Sequence, residues 1–308
     1  ASNMNFGPVT VVEANFNNTV STEINPDFIA ENVSYMGDPY KHRLLYQAEA
    51  RTRTTEMVLY DILGKDAERN GDFDGVDISS MLTKPSYPNS SDTLKPRVLV
   101  AEKVPTEAER DLNNPIWKEW NYEDESQNGT IDKKKVQAVA FDLRKTKSGQ
   151  DFTLNKQGIL IAYVKMTATT DRNKENVQSG NMAYFRAVQY NTNTRPAGAK
   201  AETLQAGSVH RLVKPLVFSL PVKKVLDVPA GLAAPDIQNK FTFTLRGVDG
   251  APLLNEEGKA SVTELKNPDS NGGLMEFGKI RILKPGKYTY KIAETAGNVA
   301  GVSLVNMG

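Results

Sequence analysis

The sequence predicts an all-β protein: two β-sandwich domains in tandem, with one short helix in the first. Three observations carry that expectation. Apolar residues recur with a period of two over many short segments, as in strands with one buried face. Clusters of Gly, Pro, Asn, Asp and Ser separate those segments, marking turns between extended pieces. Only residues 105–114 have the Thr/Glu/Ala composition of a helix.

Taken in order, residues 9–13 read as a short strand, followed by a polar, Asn-rich stretch. Residues 43–50 and 56–60 are strand-like, residues 61–75 turn-rich and acidic, and residues 76–81 extended again. Residues 85–96 form a loop, and Arg97-Val98-Leu99-Val100-Ala101 is a clear strand. In the helix, Thr106 and Glu109 have the spacing of a capping box. Residues 121–135 are polar. Strands follow at 136–144, 158–168 and 182–189, then a connection over 191–208 and an extended segment over 209–220. The domain boundary falls near residue 219, dividing the chain into residues 1–219 and 220–308. The second domain has strands at 221–226, 240–245, 259–265, 274–277, 279–283 and 286–294, and the extended pattern returns at 302–305.

The chain has 308 residues, 39% hydrophobic and 24% charged, enough to bury two cores. Lysine plus arginine (38) nearly cancels aspartate plus glutamate (37), so a net charge of +1 gives no footprint for nucleic acid. No apolar run is long enough to insert in a membrane as a helix. Without cysteine, disulfides and thiolate sites are excluded. Ala1-Ser2-Asn3 reads as a cloning remnant, and the chain as a piece of a longer protein. The Asn-x-Ser/Thr triplets at Asn17, Asn32, Asn89 and Asn128 are what an Asn-rich chain gives by chance.

No motif for phosphate binding, serine hydrolysis or zinc catalysis is present. Asn70, Asp72 and Asp74 have the spacing of a calcium loop, with Gly75 following. Position twelve, however, is Met81 where a bidentate glutamate is needed. An acidic turn is the plainer reading, and no cofactor is expected. His42 and His210 lie far apart, each without an acidic or histidine partner in sequence. Trp117 and Trp120, the only tryptophans, suit either a partner-binding platform or a core anchor.

The sharpest anomaly is the stretch Tyr288-Thr289-Tyr290-Lys291-Ile292-Ala293-Glu294. Tyr288, Tyr290 and Ile292 share a face, and Glu294 continues it with a carboxylate. From alternation alone, either the strand ends at Ile292 or an acid enters the apolar layer. In the strand at 221–226, Lys224 shares a face with Val222 and Leu226, either snorkelling from a strand edge or entering the same layer.

Those residues carry a resemblance. The segment over 221–303 resembles the pilin isopeptide-linker domain of Gram-positive surface proteins and pilus subunits. It does so through Pro221-Val222-Lys223-Lys224-Val225-Leu226, Phe241-Thr242-Phe243-Thr244-Leu245, residues 278–282, Pro285 to Glu294, and the tail over 297–302. Residues 40–190 more loosely resemble a repeat region of large Firmicutes surface proteins, through Val58-Leu59-Tyr60-Asp61-Ile62-Leu63 and Val136 to Arg144. The folds implied are Ig-like or CnaB-like sandwiches. The linker resemblance implies an intramolecular amide bond: Lys224 attacks a last-strand asparagine with Glu294 assisting, and Lys223 is the fallback nucleophile. An apolar surround favours a neutral amine beside a protonated acid. Asn306 is the only asparagine near the expected acceptor position, and it follows Glu294 too closely to return beside Lys224. The expectation is therefore that the acceptor lies outside this chain, leaving a sheet edge that can take a strand from a neighbouring subunit.

The expected function is a non-enzymatic piece of a cell-wall-attached, extracellular surface protein, acting as adhesin or as pilus or stalk component. Its adhesive loops at 85–96 and 105–135 would face a host or matrix ligand. Two alternatives stay open. One is a pure spacer. The other is a secreted carbohydrate-active protein, for which Asp61, Asp72 and Glu123 are carboxylates that no spacing pairs.

Overall fold

A computed structural model describes residues 14–82, 93–191, 200–297 and 299–303. The chain separates into two compact units. Unit 1 runs to Thr169 and resumes over Lys174–Val213; unit 2 comprises Thr170–Asn173 and the chain from Lys214. Every helical segment among the described residues is a 3₁₀ turn of three or four residues, so both units are built from strands.

Unit 1 contains β1 (Asn15–Thr22), β2 (Glu31–Tyr35), β3 (Pro39–Gln47), β4 (Thr52–Ile62), β5 (Gly71–Asp77) and β6 (Arg97–Ala101). It continues with β7 (Trp117–Trp120), β8 (Ala138–Asp142), β9 (Thr153–Leu154), β10 (Ile159–Ala168), β11 (Ser179–Asn191) and β12 (Lys200–Val213). A four-stranded sheet has the order β1-β3-β10-β5. An eight-stranded sheet has the order β2-β12-β11-β4-β8-β6-β7, with β9 also on β4. Strand β10 shows the physical logic: Leu160, Ala162, Val164, Met166 and Ala168 point inward while alternate residues face out. The sheets interdigitate, with Tyr46 of β3 stacked on Phe185 of β11 at 3.8 Å. Strand β8 is buried on both faces because the loop before β7 folds back over it. Leu112 and Trp117 pack there against Val58, Tyr60, Leu99 and Ala140.

Several expectations change. The Asn-rich stretch after residue 13 is β1, and the acidic turn at 71–75 lies within β5. Much of the supposed connection over 191–208 belongs to β12. The helix at 105–114 is a single 3₁₀ turn at Ala108–Arg110. Its capping box does form: Thr106 N–H donates to Glu109 Oε2 at 3.0 Å and Glu109 N–H to Thr106 Oγ1 at 3.4 Å. A cap satisfies end donors; it cannot supply the length a helix needs. The strand expected at 9–13 and much of the loop at 85–96 lie outside the described residues.

Unit 2 contains β13 (Leu216–Phe218), β14 (Pro221–Val225), β15 (Phe241–Val248), β16 (Glu264–Lys266), β17 (Gly272–Glu276), β18 (Ile280–Ile282) and β19 (Thr289–Ala296). They form the pairs β13-β18 and β14-β17 and the triplet β16-β15-β19 around one core. That core holds Ile237, Phe241, Phe243, Leu245, Met275, Phe277, Ile280 and Ile282.

Candidate functional site

The strict alternation of β15 aims Phe241, Phe243 and Leu245 into the core of unit 2. Strand β19 lies antiparallel beside it, with Glu294 opposite Phe243 and Ile292 opposite Leu245. Strand β14 pairs with β17, Lys224 opposite Gly273. The chain can approach there because Gly272 and Gly273 take φ of 122° and 104°, and a Cβ on Gly272 would strike the Lys224 carbonyl. Val222, Lys224 and Leu226 face inward, whereas Lys223 is exposed on the other face.

Lys224 and Glu294, seventy residues apart, meet. Lys224 Nζ donates to Glu294 Oε1 at 2.5 Å and sits 4.1 Å from the centre of the Phe241 ring. The Lys224 side chain is 12% exposed and that of Glu294 27%. The amine is thus better shielded than the acid. Glu294 is half-buried rather than fully enclosed, since its face of β19 opens toward solvent, with Ile292 39% exposed. Ammonium over an aromatic face is held by the ring quadrupole as well as by the carboxylate. Among the described residues, β14 and β19 each pair with a strand on one side only.

Asn267, which the sequence did not single out, is the buried asparagine among the described residues of unit 2. Its Oδ1 accepts from Phe241 N–H at 3.0 Å, and its Nδ2 donates to the carbonyls of Ile237 and Asp269 at 2.8 and 3.1 Å. Its amide is committed to pinning a turn. Asn306 lies outside the described residues.

Unit 1 brings its two histidines into one buried polar layer, a placement no local sequence signal announces. His210 Nε2 is 2.6 Å from Ser34 Oγ, His210 Nδ1 is 2.7 Å from Asn70 Oδ1, and Tyr40 stacks on the ring at 3.7 Å. The order Ser–His–Asn matches that of a nucleophilic triad, yet Ser34, Asn70 and His210 are fully buried, which leaves no approach for a substrate. His42 Nδ1 meets Ser208 Oγ at 3.2 Å. Burial pushes both histidines down to about 3, so they stay neutral. Burial also pushes Asp61 up to about 7, with the Asn181 amide beside it pulling the other way. Asn18 and Asn181 join hands across the sheets nearby.

The remaining candidates take structural places. Asn70 spends its amide on the carbonyls of Val177 and His210, at 2.8 and 2.9 Å. Asp72 faces Arg69 at 3.4 Å and Asp74 faces Lys133 at 3.3 Å, so the calcium-loop oxygens are engaged by two cations and, at Asn70 Oδ1, by the His210 ring. Among the described residues no group of three or more acidic or histidine side chains is placed to hold a metal. Trp117 and Trp120 are core residues, 7% and 2% exposed, which fits the core-anchor reading and not the partner-binding platform. Trp117 Nε1 donates to Glu109 O at 2.8 Å, and Trp120 packs edge-on against Phe73 at 5.0 Å. Large aromatic surface is worth more against a sheet than in water. Asp61 is fully buried and Asp72 and Glu123 each face a cation, Arg69 and Lys95, which does not suit a solvent-reached carboxylate pair.

Residues 220–305 match the family model FctA, the Spy0128-like isopeptide containing domain. The match bears out, over residues 220–305, the resemblance read from the Lys224 and Glu294 strands; it does not extend to residues 40–190. A search of the curated proteins found no match. Among solved structures, the chain is similar to BcpA*(D312A), the major pilin subunit of Bacillus cereus. That alignment has 10% identity and a TM-score of 0.44, and covers 96% of this chain and 67% of that one. It is also similar to the 35 kDa C-terminal fragment of the major pilin GBS80 of Streptococcus agalactiae, at 12% identity and a TM-score of 0.35, over 94% and 88% of the two chains. For the full-length major pilin SpaD of Corynebacterium diphtheriae the values are 14% and 0.27, over 95% and 59%. At these TM-scores the likenesses carry no weight for function.

Proposed function

We propose that the chain is a load-bearing segment of an extracellular, cell-wall-attached surface protein, a pilus or stalk component, whose second unit carries a centre for an intramolecular amide cross-link. The observation that supports this reading is the contact of Lys224 with Glu294 over Phe241, inside the segment that matches the isopeptide family.

In the proposed step, Lys224 Nζ in its neutral form attacks the side-chain carbonyl carbon of an asparagine. The Nζ–Cγ bond forms, the Cγ–Nδ2 bond breaks, and Nδ2 leaves as ammonia. Glu294 is within reach to take the lysine proton and deliver it to the departing nitrogen. The one-sided pairing of β14 and β19 among the described residues leaves edges where a strand bearing that asparagine can add, from later in the same protein or from a neighbouring subunit. A covalent tie between first and last strands makes extension break a bond rather than open a ladder.

The test is the intact mass of a chain extended through the next strand, with Glu294→Ala and Lys224→Ala versions beside it. The parent is expected to be lighter by one ammonia and the two variants not. An extended parent at full mass overturns the cross-link. Burial of both tryptophans favours spacer over adhesin for unit 1. Unchanged cell or matrix binding after replacing the 105–135 loop would support the spacer, and lost binding the adhesin.

A further inference from the structure

On the outer face of the large sheet of unit 1, a hollow of about 430 Å³ is lined by Arg110, Arg144 and Arg186, with Tyr60, Glu56 and Asp111 beside them. The three arginines arrive from different directions: the 3₁₀ turn before β7, the end of β8, and the middle of β11. Arg144 is already committed, its Nε and Nη2 donating to both Asp142 oxygens at 2.7 and 2.8 Å. Arg110 lies flat on Tyr184, guanidinium carbon 3.7 Å from the ring centre, and its Nε is buried without an acceptor. Arg186 is exposed beside the Tyr60 hydroxyl. Among the described residues neither Arg110 nor Arg186 makes an ion pair, although Glu56 and Asp111 line the same hollow.

The backbone at this place is irregular too. The pairing of β4 with β11 shifts register between Arg186 and Val188, a bulge in which Glu56 takes a φ of 55°. A non-glycine residue held in the left-handed region inside a strand is uncommon, and bulges re-aim side chains beside binding sites. Here the bulge leaves Glu56 exposed at the rim while Arg186 stands opposite Val58.

We propose that this hollow is an oxyanion site, taking the carboxylate or phosphate of a small acidic ligand on the forks of Arg186 and Arg110. Planar guanidinium groups bind such anions through two parallel N–H donors. Stacking on Tyr184 fixes the plane of Arg110, and the Asp142 pair holds Arg144 in place beside it, its charge offset by that carboxylate. Both reduce the ordering that a ligand must otherwise impose.

Calorimetric titration of the whole chain at low ionic strength tests this, with inorganic phosphate and glucuronate as the two probes. At least one probe is expected to bind in the millimolar range or tighter. Phosphate alone would mark a phosphoryl ligand, glucuronate alone a carboxylate, and both a general oxyanion site. Arg186→Ala is expected to weaken binding at least tenfold, and Arg186→Lys, which keeps the charge but loses the fork, not to restore it. Arg186 is exposed, so these variants remain readable if Arg110→Ala disturbs its loop. No binding of either probe, binding unchanged by Arg186→Ala, or full binding by Arg186→Lys overturns the proposal.

Discussion

Unit 1 and unit 2 each place polar side chains inside a β-core, and they do it in opposite ways. In unit 1, His42, His210, Ser34, Asn70, Asn18 and Asn181 are sealed between two sheets and bonded to uncharged partners. In unit 2, Lys224 and Glu294 face each other at the margin of the core, partly open to water. A fully enclosed polar group is tolerated when neutral and hydrogen-bonded, and such a layer fixes register while remaining chemically quiet. A charge pair at a margin costs less to keep and can still lose a proton, gain one or meet a newcomer. The contrast separates specificity from reactivity.

The largest effect expected from breaking this comparison lies in unit 1. Trp117→Ala removes a ring packed between the folded-back loop and the sheet, and should cost about 3–5 kcal/mol. Calorimetry should show the unit 1 transition fall while that of unit 2 stays in place. His210→Ala strands the partners Ser34 and Asn70 and should cost about 3 kcal/mol. A shift of the unit 2 transition in either variant would argue against the two units being separate in stability.

The buried layer also sets a pH dependence. Asp61 is raised from 3.8 to about 7, so its contribution is fully present below pH 3.8 and is lost as pH rises through 7. His42 and His210 are depressed from 6.5 to about 3, so theirs is present above pH 6.5 and lost as pH falls toward 3. Asp61→Asn should therefore stabilise unit 1 above pH 7, by about 4 kcal/mol at most, and change little below pH 4. Chemical denaturation at pH 4 and pH 8 checks the sign; a gain at pH 4 alone would contradict it.

The smallest effects belong to unit 2. Glu294→Gln in this chain should cost only about 1 kcal/mol, since the pair is partly solvated. Lys223→Ala should lie within about 0.5 kcal/mol of the parent and leave any cross-link intact, because Lys223 points away from Glu294. Loss of the cross-link in Lys223→Ala but not in Lys224→Ala would exchange their roles.

What the sequence made legible follows from how each element announces itself. Strand β15, with Phe241, Phe243 and Leu245 in strict alternation, was readable outright. Glu294 and Lys224 were readable because each breaks an apolar pattern, and an interruption in a periodic signal is itself local information. Strand β1 was not, because its inward positions include Asn18, whose partner Asn181 lies far along the chain. Nothing local marks such a residue as interior. The calcium-like spacing could not reveal its own use for the same reason: Asn70 is held by His210, which no window around residue 70 contains. Trp117 and Trp120 carried no sign of direction, since an aromatic pair looks the same facing a core or a ligand. The arginine hollow was likewise invisible, being assembled from a turn and two strands.

Among the described residues strand β2 has one partner in its sheet, β12, and lies parallel to it, Glu31 opposite Val209 and Tyr35 opposite Val213. A chain emerging N-terminus first, from a ribosome or a translocation channel, therefore makes an early strand wait for the last strand of its unit. Sequence separations of that kind slow folding, because the intervening loop must close before any contact rewards it. Unit 1 cannot complete its large sheet until residue 213 has emerged. The parallel pairing thus ties closure of the large sheet to the end of unit 1 rather than to its beginning.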